Sequence, residues 1–266
     1  MTLRNGLFCV DAFADRIGTG NPAGVCLLSE PADLGWMQTI AREVNLSETA
    51  FVAQQENGFL LRCFTPSGEV DLCGHAALAA MHILLEKAYL GTGETARFFT
   101  KSGVLTARQT MNLIRMDFPA EPENEVPAPA ALTEALGLQP CYTGRNRSDL
   151  LVEVSSEDVV RNLVFDFECL RDIPVRGVMV TSRASTPGFD FVSRFFAPNA
   201  GINEDPVTVS AHCCLGPFWQ KRLKKDTLIA YQASERGGVI RLRLDLPGRV
   251  KIAGTAVTVW QGSLRS

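Results

Sequence analysis

The sequence predicts an α+β fold of two similar halves, each a set of strands with one long apolar helix. Three observations predict it. First, the stretch "PAEPENEVPAPA", Pro119 to Ala130, divides the 266 residues nearly in two, and its prolines favour extended linker structure over helix or core strand. Second, "FLLRCFTP" (59–66) and "FVSRFFAP" (191–198) share Phe59/Phe191, Arg62/Arg194, Phe64/Phe196 and Pro66/Pro198. Third, each of these is followed by acids in a loop, a turn of small residues, a histidine and an apolar run of helical length. The same order on both sides reads as a duplication: 1–118 as the first half, 119–130 as linker, 131–266 as the second half.

The elements follow from local pattern. "LFCVDAF" (7–13) and "AGVCLLS" (23–29) read as strands. "DLGWMQTIAREVN" (33–45) reads as an amphipathic helix, with Asp33 as N-cap and Leu34, Met37, Ile40 and Ala41 on one face. "ETAFVAQ" and "GVMVTSR" are strands, and "ALTEALGL" is a short helix. The two phenylalanine-rich repeats are strands that stop at their prolines. A helix beginning near Gly74 is apolar around most of its circumference through Ala76, Leu78, Met81, Ile83 and Leu84, so the sheet of its own half should surround it. A second helix begins near Ser210, and glycine-marked strand regions, "KSGVLTARQTMNLIRMDFPA" and "ERGGVIRLRLDLPG", close the halves. Strands linked mostly by short turns favour α+β over βαβ repeats.

Composition narrows the function. The formal net charge is -3, and the only basic runs are Lys221-Arg222 and Lys224-Lys225, which argues against nucleic acid. No apolar stretch reaches the roughly 18 residues of a membrane span. The segment "MTLRNGLFCVDAF" has no long apolar core of a secretory signal, so a cytoplasmic protein is expected. The cysteines at 9, 26, 63, 73, 141, 169, 213 and 214 form no C-x-x-C pair, so neither a structural zinc nor a disulfide framework is expected, and most should be small core residues. His75, His82 and His212 form no metal-binding pair, and "GTGNPAG" is not a nucleotide fingerprint, so no metal and no cofactor are expected.

The two helix starts carry chemistry of their own. Each presents unsatisfied backbone N–H groups and the positive end of a helix dipole, which suits a carboxylate substrate. Five stretches then point to one family: "GTGNPAGV" (18–25), "AREVNLSETAFV" (41–52), "RCFTPSGEVDLCGHAAL" (62–78), "RFFAPNAGINEDPVTVSAH" (194–212) and "IAGTAVTVWQG" (252–262). Together and in order they resemble the PhzF family of phenazine-biosynthesis-like isomerases, related in fold to diaminopimelate epimerase. The resemblance implies two curled, mostly antiparallel sheets or barrels, each around a central helix, with the active site in the cleft between them. It also implies a cofactor-free isomerase, a small carboxylate substrate and, since relatives are often dimeric, a homodimer.

In the family's characterised member, the glutamate of the S-E-T motif moves a proton between carbons of a cyclohexadiene amino acid. Glu48 holds that position here, and acid–base work at carbon needs a carboxyl tuned toward neutrality, as burial can do. His75 and Asp205 match two further polar site positions. Asn21, Ser47, Thr208 and Ser210 offer groups that could orient a substrate, and Cys73 and Gly74 lie at the mouth of the first helix. One departure stands out: Val209 occupies a position where the family commonly has glycine, which adds bulk and disfavours positive φ. Two rivals remain open. Cys73 could serve a two-base racemase, although the partner position holds Thr208, a poor acid. Alternatively, the chain could bind a small molecule without turning it over.

Overall fold

The computed structural model describes residues 5–71 and 74–264. By contacts the chain forms two compact units, Met1–Asp117 with Ala253–Ser266, and Phe118–Ile252.

In the first unit, β1 (Gly6–Ala12) runs antiparallel to β2 (Asn21–Leu28). Helix α1 (Leu34–Val44) then carries the chain to β3 (Glu48–Gln55), which lies parallel to β2 with Ala23 opposite Glu48. Strand β4 (Gly58–Phe64) returns antiparallel, and the two-residue β5 (Glu69–Val70) folds back on its end. Helix α2 (Gly74–Glu86) leads to β6 (Thr95–Thr100), parallel to β4, and β7 (Gly103–Thr110) and β8 (Leu113–Pro119) continue as antiparallel neighbours.

The second unit repeats this plan. After β9 (Asn124–Glu125) and α3 (Ala130–Leu136), β10 (Tyr142–Arg145) pairs antiparallel with β11 (Asp149–Glu153). Two short helices, α4 (Glu157–Asn162) and α5 (Phe167–Arg171), cross to β12 (Gly177–Arg183), parallel to β11. Strand β13 (Phe191–Ala197) returns antiparallel and β14 (Ile202–Asp205) folds back. Helix α6 (Val209–Leu223) crosses to β15 (Thr227–Gln232), parallel to β13, and β16 (Gly238–Arg243) follows. The chain ends in β17 (Arg249–Gly254) and β18 (Ala256–Gly262), the latter antiparallel to β1.

The two central helices explain the curl. Every residue of α2 from Gly74 to Met81 is buried, as are Ile83 and Leu84, so no side of the helix can face water through those turns. One face of the sheet wraps it, and the other face takes the smaller helices. Phe51 and Phe64 face Met37 and Ala41 of α1, while Val178, Val180 and Phe196 face Leu132 and Val160 of α3 and α4. Each unit thus holds two parallel crossovers, a feature that short-turn patterning did not anticipate within the α+β class. Asp33 caps α1 as expected, accepting from Trp36 N at 3.1 Å. Leu34 departs from the expected apolar face: it is 48% exposed, because it opens the helix ahead of the first turn that reaches the sheet.

A duplicated clamp fixes the loop before each central helix. Arg62 holds Glu69 through two bonds of 2.7 and 2.8 Å, and Arg194 holds Glu204 at 2.7 and 2.9 Å. Each glutamate lies opposite the repeat phenylalanine, Phe64 or Phe196. Such forks are geometrically specific. Counted from these clamps, α2 and α6 both begin five residues later, at Gly74 and Val209. His75 therefore corresponds to Ser210, not to His212.

Two segments differ from the linear division at the proline-rich stretch. Strand β18 belongs to the first unit because it pairs with β1. Residues 119–130 are not a detached linker but part of the second unit: Ala120 N donates to Gly248 O at 2.9 Å and Val126 N to Thr143 O at 3.1 Å. Pro217 inside α6 cannot donate to Cys213 O four residues back, and Glu121 N supplies that bond instead at 3.0 Å. Cys9, Cys26, Cys213 and Cys214 are buried thiols, whereas Cys141 is exposed.

Glu157 ties α4 to the turn that follows β12. Burial raises its carboxyl, but Thr186, Arg161 and Ser185 together outweigh that and hold it at about 2 against an ordinary 4.5. The contacts are Thr186 Oγ1 at 2.7 Å, Ser185 N at 2.6 Å and Arg161 Nη2 at 2.6 Å. Because the folded value is depressed, its stabilisation is full above about pH 4.5 and is lost as pH falls toward 2. Glu157→Gln is expected to cost on the order of 3 kcal/mol at pH 7 in urea denaturation, with the gap to wild type closing on acidification.

Candidate active site

The start of β2, the loop before β3 and the start of α2 bring four polar residues of the first unit together. Glu48 is the first residue of β3, and its Oε2 lies 3.6 Å from Nδ1 of His75, the second residue of α2. His75 Nε2 lies 3.2 Å from Ser47 Oγ. Ser47 Oγ is also 2.9 Å from Pro22 O and 3.2 Å from Asn21 Oδ1. The parallel pairing of β2 and β3 sets this up, because it places residues 21–23 beside residue 48.

The hydrogen bonds of this network are best met by one imidazole tautomer. Pro22 O and Asn21 Oδ1 only accept, so the single hydroxyl proton of Ser47 goes to one of them. Ser47 Oγ then accepts from His75 Nε2–H, which leaves the Nδ1 lone pair toward Glu48. Burial keeps this ring neutral, with its pKa pushed down to about 4. Gly74 is buried at the helix start. Cys73 lies outside the described residues.

In the second unit the predicted residues cluster around the end of β14 and the start of α6. Thr208 Oγ1 donates to Asp205 Oδ2 at 2.5 Å. Thr208 holds the N-cap position of α6, yet its side chain makes no cap bond, since the hydroxyl is turned to Asp205. Among the described residues nothing accepts from the N–H groups of Val209, Ser210 or Ala211, so the first turn of α6 keeps open donors. Val209 is 4% exposed and has no positive φ, so the backbone here does not require glycine.

Three residues of this cluster escaped the sequence motifs. Gln232, fully buried, accepts from Thr208 N at 2.8 Å and donates to Asp205 O at 2.7 Å and Thr208 Oγ1 at 3.1 Å, locking the 205–208 loop. Arg176 Nη2 donates to Ser210 Oγ at 3.0 Å. Arg176 is itself held by buried Asp149, through Nε at 2.8 Å and through Nη2. The signal for Arg176 was position: it precedes "GVMVTSR" as Ser47-Glu48 opens "ETAFVAQ". His212, matched to His75 by the linear repeat, is instead a core residue. Its Nδ1–H donates to Thr208 O at 2.7 Å and its ring stacks on Phe191.

A duplicated α+β fold with a carboxyl–imidazole pair at one central helix and open amides at the other fits the class of phenazine biosynthesis-like isomerases. The sequence model for "phenazine biosynthesis-like protein" matches residues 10–262. An uncharacterized isomerase of Halalkalibacterium halodurans is 49% identical over 97% of each chain. The crystal structure of a PhzF-family phenazine biosynthesis protein from Enterococcus faecalis matches with a TM-score of 0.93 at 39% identity, covering 98% of this chain and 99% of that one. A hydroxyproline epimerase from Agrobacterium vitis shares the fold alone, with a TM-score of 0.65 at 12% identity over 97% and 91% of the chains. The chain belongs to the phenazine biosynthesis-like, or PhzF, family. No helix among the described residues is long and apolar enough to cross a membrane.

The buried imidazole gives a direct check. Two-dimensional ¹⁵N–¹H NMR of the side chains should show His75 neutral from pH 8 down to about pH 5, with its proton on Nε2. A ring that titrates near pH 6.5, or a proton on Nδ1, would contradict the network described.

Proposed function

We propose that the protein is a cofactor-independent isomerase that moves a proton between carbons of a small carboxylate substrate, with Glu48 as general acid and base. The observation that carries this reading is Glu48 Oε2 standing 3.6 Å from Nδ1 of a buried imidazole that burial keeps neutral. Glu48 takes a proton from one carbon as its C–H bond breaks. The electron pair moves into the conjugated system, and Glu48 returns the proton to a second carbon. Between the two steps the protonated carboxyl can donate to His75 Nδ1, so no cation has to form beside a developing carbanion. Ser47 and Asn21 hold the ring for that role.

The duplication favours one base over two. The register that aligns Phe64 with Phe196 sets Gly177 in the place of Glu48, so the second unit has no carboxyl there. Thr208 stands one residue before its helix, as Cys73 does before α2, and a threonine hydroxyl is too weak an acid to return a proton at neutral pH. Within the second unit, Asp205, held by Thr208, and the open donors of α6 form a polar cluster of a kind that suits a carboxylate. The same reading takes the protein as a cytoplasmic homodimer that works without metal or cofactor.

The test is exchange of carbon-bound hydrogen. Unsaturated and α-amino carboxylates incubated with the protein in D₂O should include at least one that gains deuterium at carbon. Glu48→Gln is expected to slow that exchange by about 10³-fold, and Asp205→Asn by less. Wild-type levels of exchange in Glu48→Gln would remove Glu48 from the chemistry. Ligands that bind without exchanging would favour a binding protein.

A further inference from the structure

The duplication, followed through strand register, leads to a residue outside every motif. Phe64 pairs with Thr49 in the first unit and Phe196 with Val178 in the second. The residues before them correspond in turn: Glu48 to Gly177 and Ser47 to Arg176. The parallel pairs agree, since Ala23 lies opposite Glu48 and Asp149 opposite Gly177. The clamps align Gly74-His75 with Val209-Ser210 in the same way.

One contact survives this divergence with its chemistry replaced. In the first unit Ser47 Oγ meets His75 at 3.2 Å; in the second Arg176 Nη2 meets Ser210 Oγ at 3.0 Å. No side chain can take the place of Glu48 in the second unit, because a Cβ on Gly177 would lie 2.4 Å from Cζ of Phe195. The Phe195 ring fills that space, and the Arg176 guanidinium lies 5.6 Å from its centroid.

We propose that Arg176 is the carboxylate-binding residue of the second unit, a fixed guanidinium standing where the first unit places its proton-transfer apparatus. The proposal rests on the reading of the protein as an isomerase of a small carboxylate, and it concerns the second unit by itself. Asp149, 1% exposed, aims the guanidinium by holding Nε and Nη2. Nη1 makes no hydrogen bond among the described residues, and the side chain is 43% exposed, so two N–H groups remain for a ligand. Ser210 Oγ accepts from Arg176, which leaves the Ser210 hydroxyl proton free to donate to the same anion. Glu121, paired with Arg147 at 2.9 Å, and Asp205, bonded to the Thr208 hydroxyl, also act on the Arg176 cation, and a ligand anion has to compete with them for it. A guanidinium fork beside a serine hydroxyl and open helix amides suits a planar carboxylate.

A purely structural role, neutralising buried Asp149, predicts no effect on ligand charge preference, and this separates the two cases. The probes are cyclohex-1-ene-1-carboxylate and benzoate, each compared with its carboxamide by isothermal titration. Wild-type protein should prefer each carboxylate to its amide by about tenfold or more. Arg176→Lys keeps a charge for Asp149 but loses the fork, and should lose most of that preference. Asp149→Asn with Arg176→Gln removes both charges together, and should abolish the preference while the melt stays cooperative.

No preference in wild type, or a preference kept in both variants, would overturn the assignment. So would loss of cooperative melting in both, which would give the pair to folding. Glu48→Gln should keep the carboxylate preference while losing hydrogen exchange. If Glu48→Gln keeps exchange instead, the proton-transfer reading fails while the Arg176 result stands by itself.

Discussion

A helix with no polar face has to be enclosed. That constraint governs each unit, because α2 is buried from Gly74 through Met81 and α6 from Ala211 through Trp219. Only a curled sheet can cover such a helix from several sides at once, and a right-handed strand twist supplies the curl. Enclosure has a local consequence. The helix meets the polar residues of the candidate site at its N-terminus, which the chain from β5 or β14 delivers beside the start of β3 or β12. Glu48 and His75 meet in the first unit, and Arg176 and Ser210 in the second, for this one reason.

The same enclosure sets the electrostatics. A histidine at the second position of a buried helix loses its hydration, and burial drives it neutral. Its preferred tautomer is then set by whatever its outer nitrogen meets, here a serine whose own proton is directed to a backbone carbonyl or an asparagine. The first unit therefore holds a neutral imidazole against a carboxyl. The second unit holds a paired cation against a hydroxyl. A duplicated scaffold has diverged at one register position, with Glu48 on one side and Gly177 on the other, and Phe195 closes that space to any side chain.

Much of this was legible in the sequence. The repeat "F-x-x-R-x-F-x-P" announced the duplication, and it did so because Arg62 and Arg194 each clamp a glutamate in the same register. The apolar run after Gly74 announced an enclosed helix. The family motifs carried Glu48, His75, Asn21, Ser47, Asp205, Thr208 and Ser210 to positions that cluster within their own units. What stayed hidden depends on spatial pairing. Arg176 and Gln232 sit in stretches with ordinary patterns, and the parallel β11–β12 and β13–β15 pairings with the fold-back of β14 bring them to the start of α6. The match of His75 with His212 failed because the two histidines take different helix positions, second in α2 and fourth in α6, and the fourth position of α6 lies in the core. The return of β18 to the first unit depends on pairing with β1 across the length of the chain, which no local pattern records.

The central claim is that a single carboxyl both removes and returns the proton. The most direct measurement follows the label rather than the rate. A substrate found by exchange is deuterated at the carbon that loses its proton, converted in H₂O in a single turnover, and its product examined for deuterium at the accepting carbon. A single base predicts that part of the label is carried across. Complete absence of transferred deuterium, with all of it released to solvent, would contradict the account and point to two separate acids.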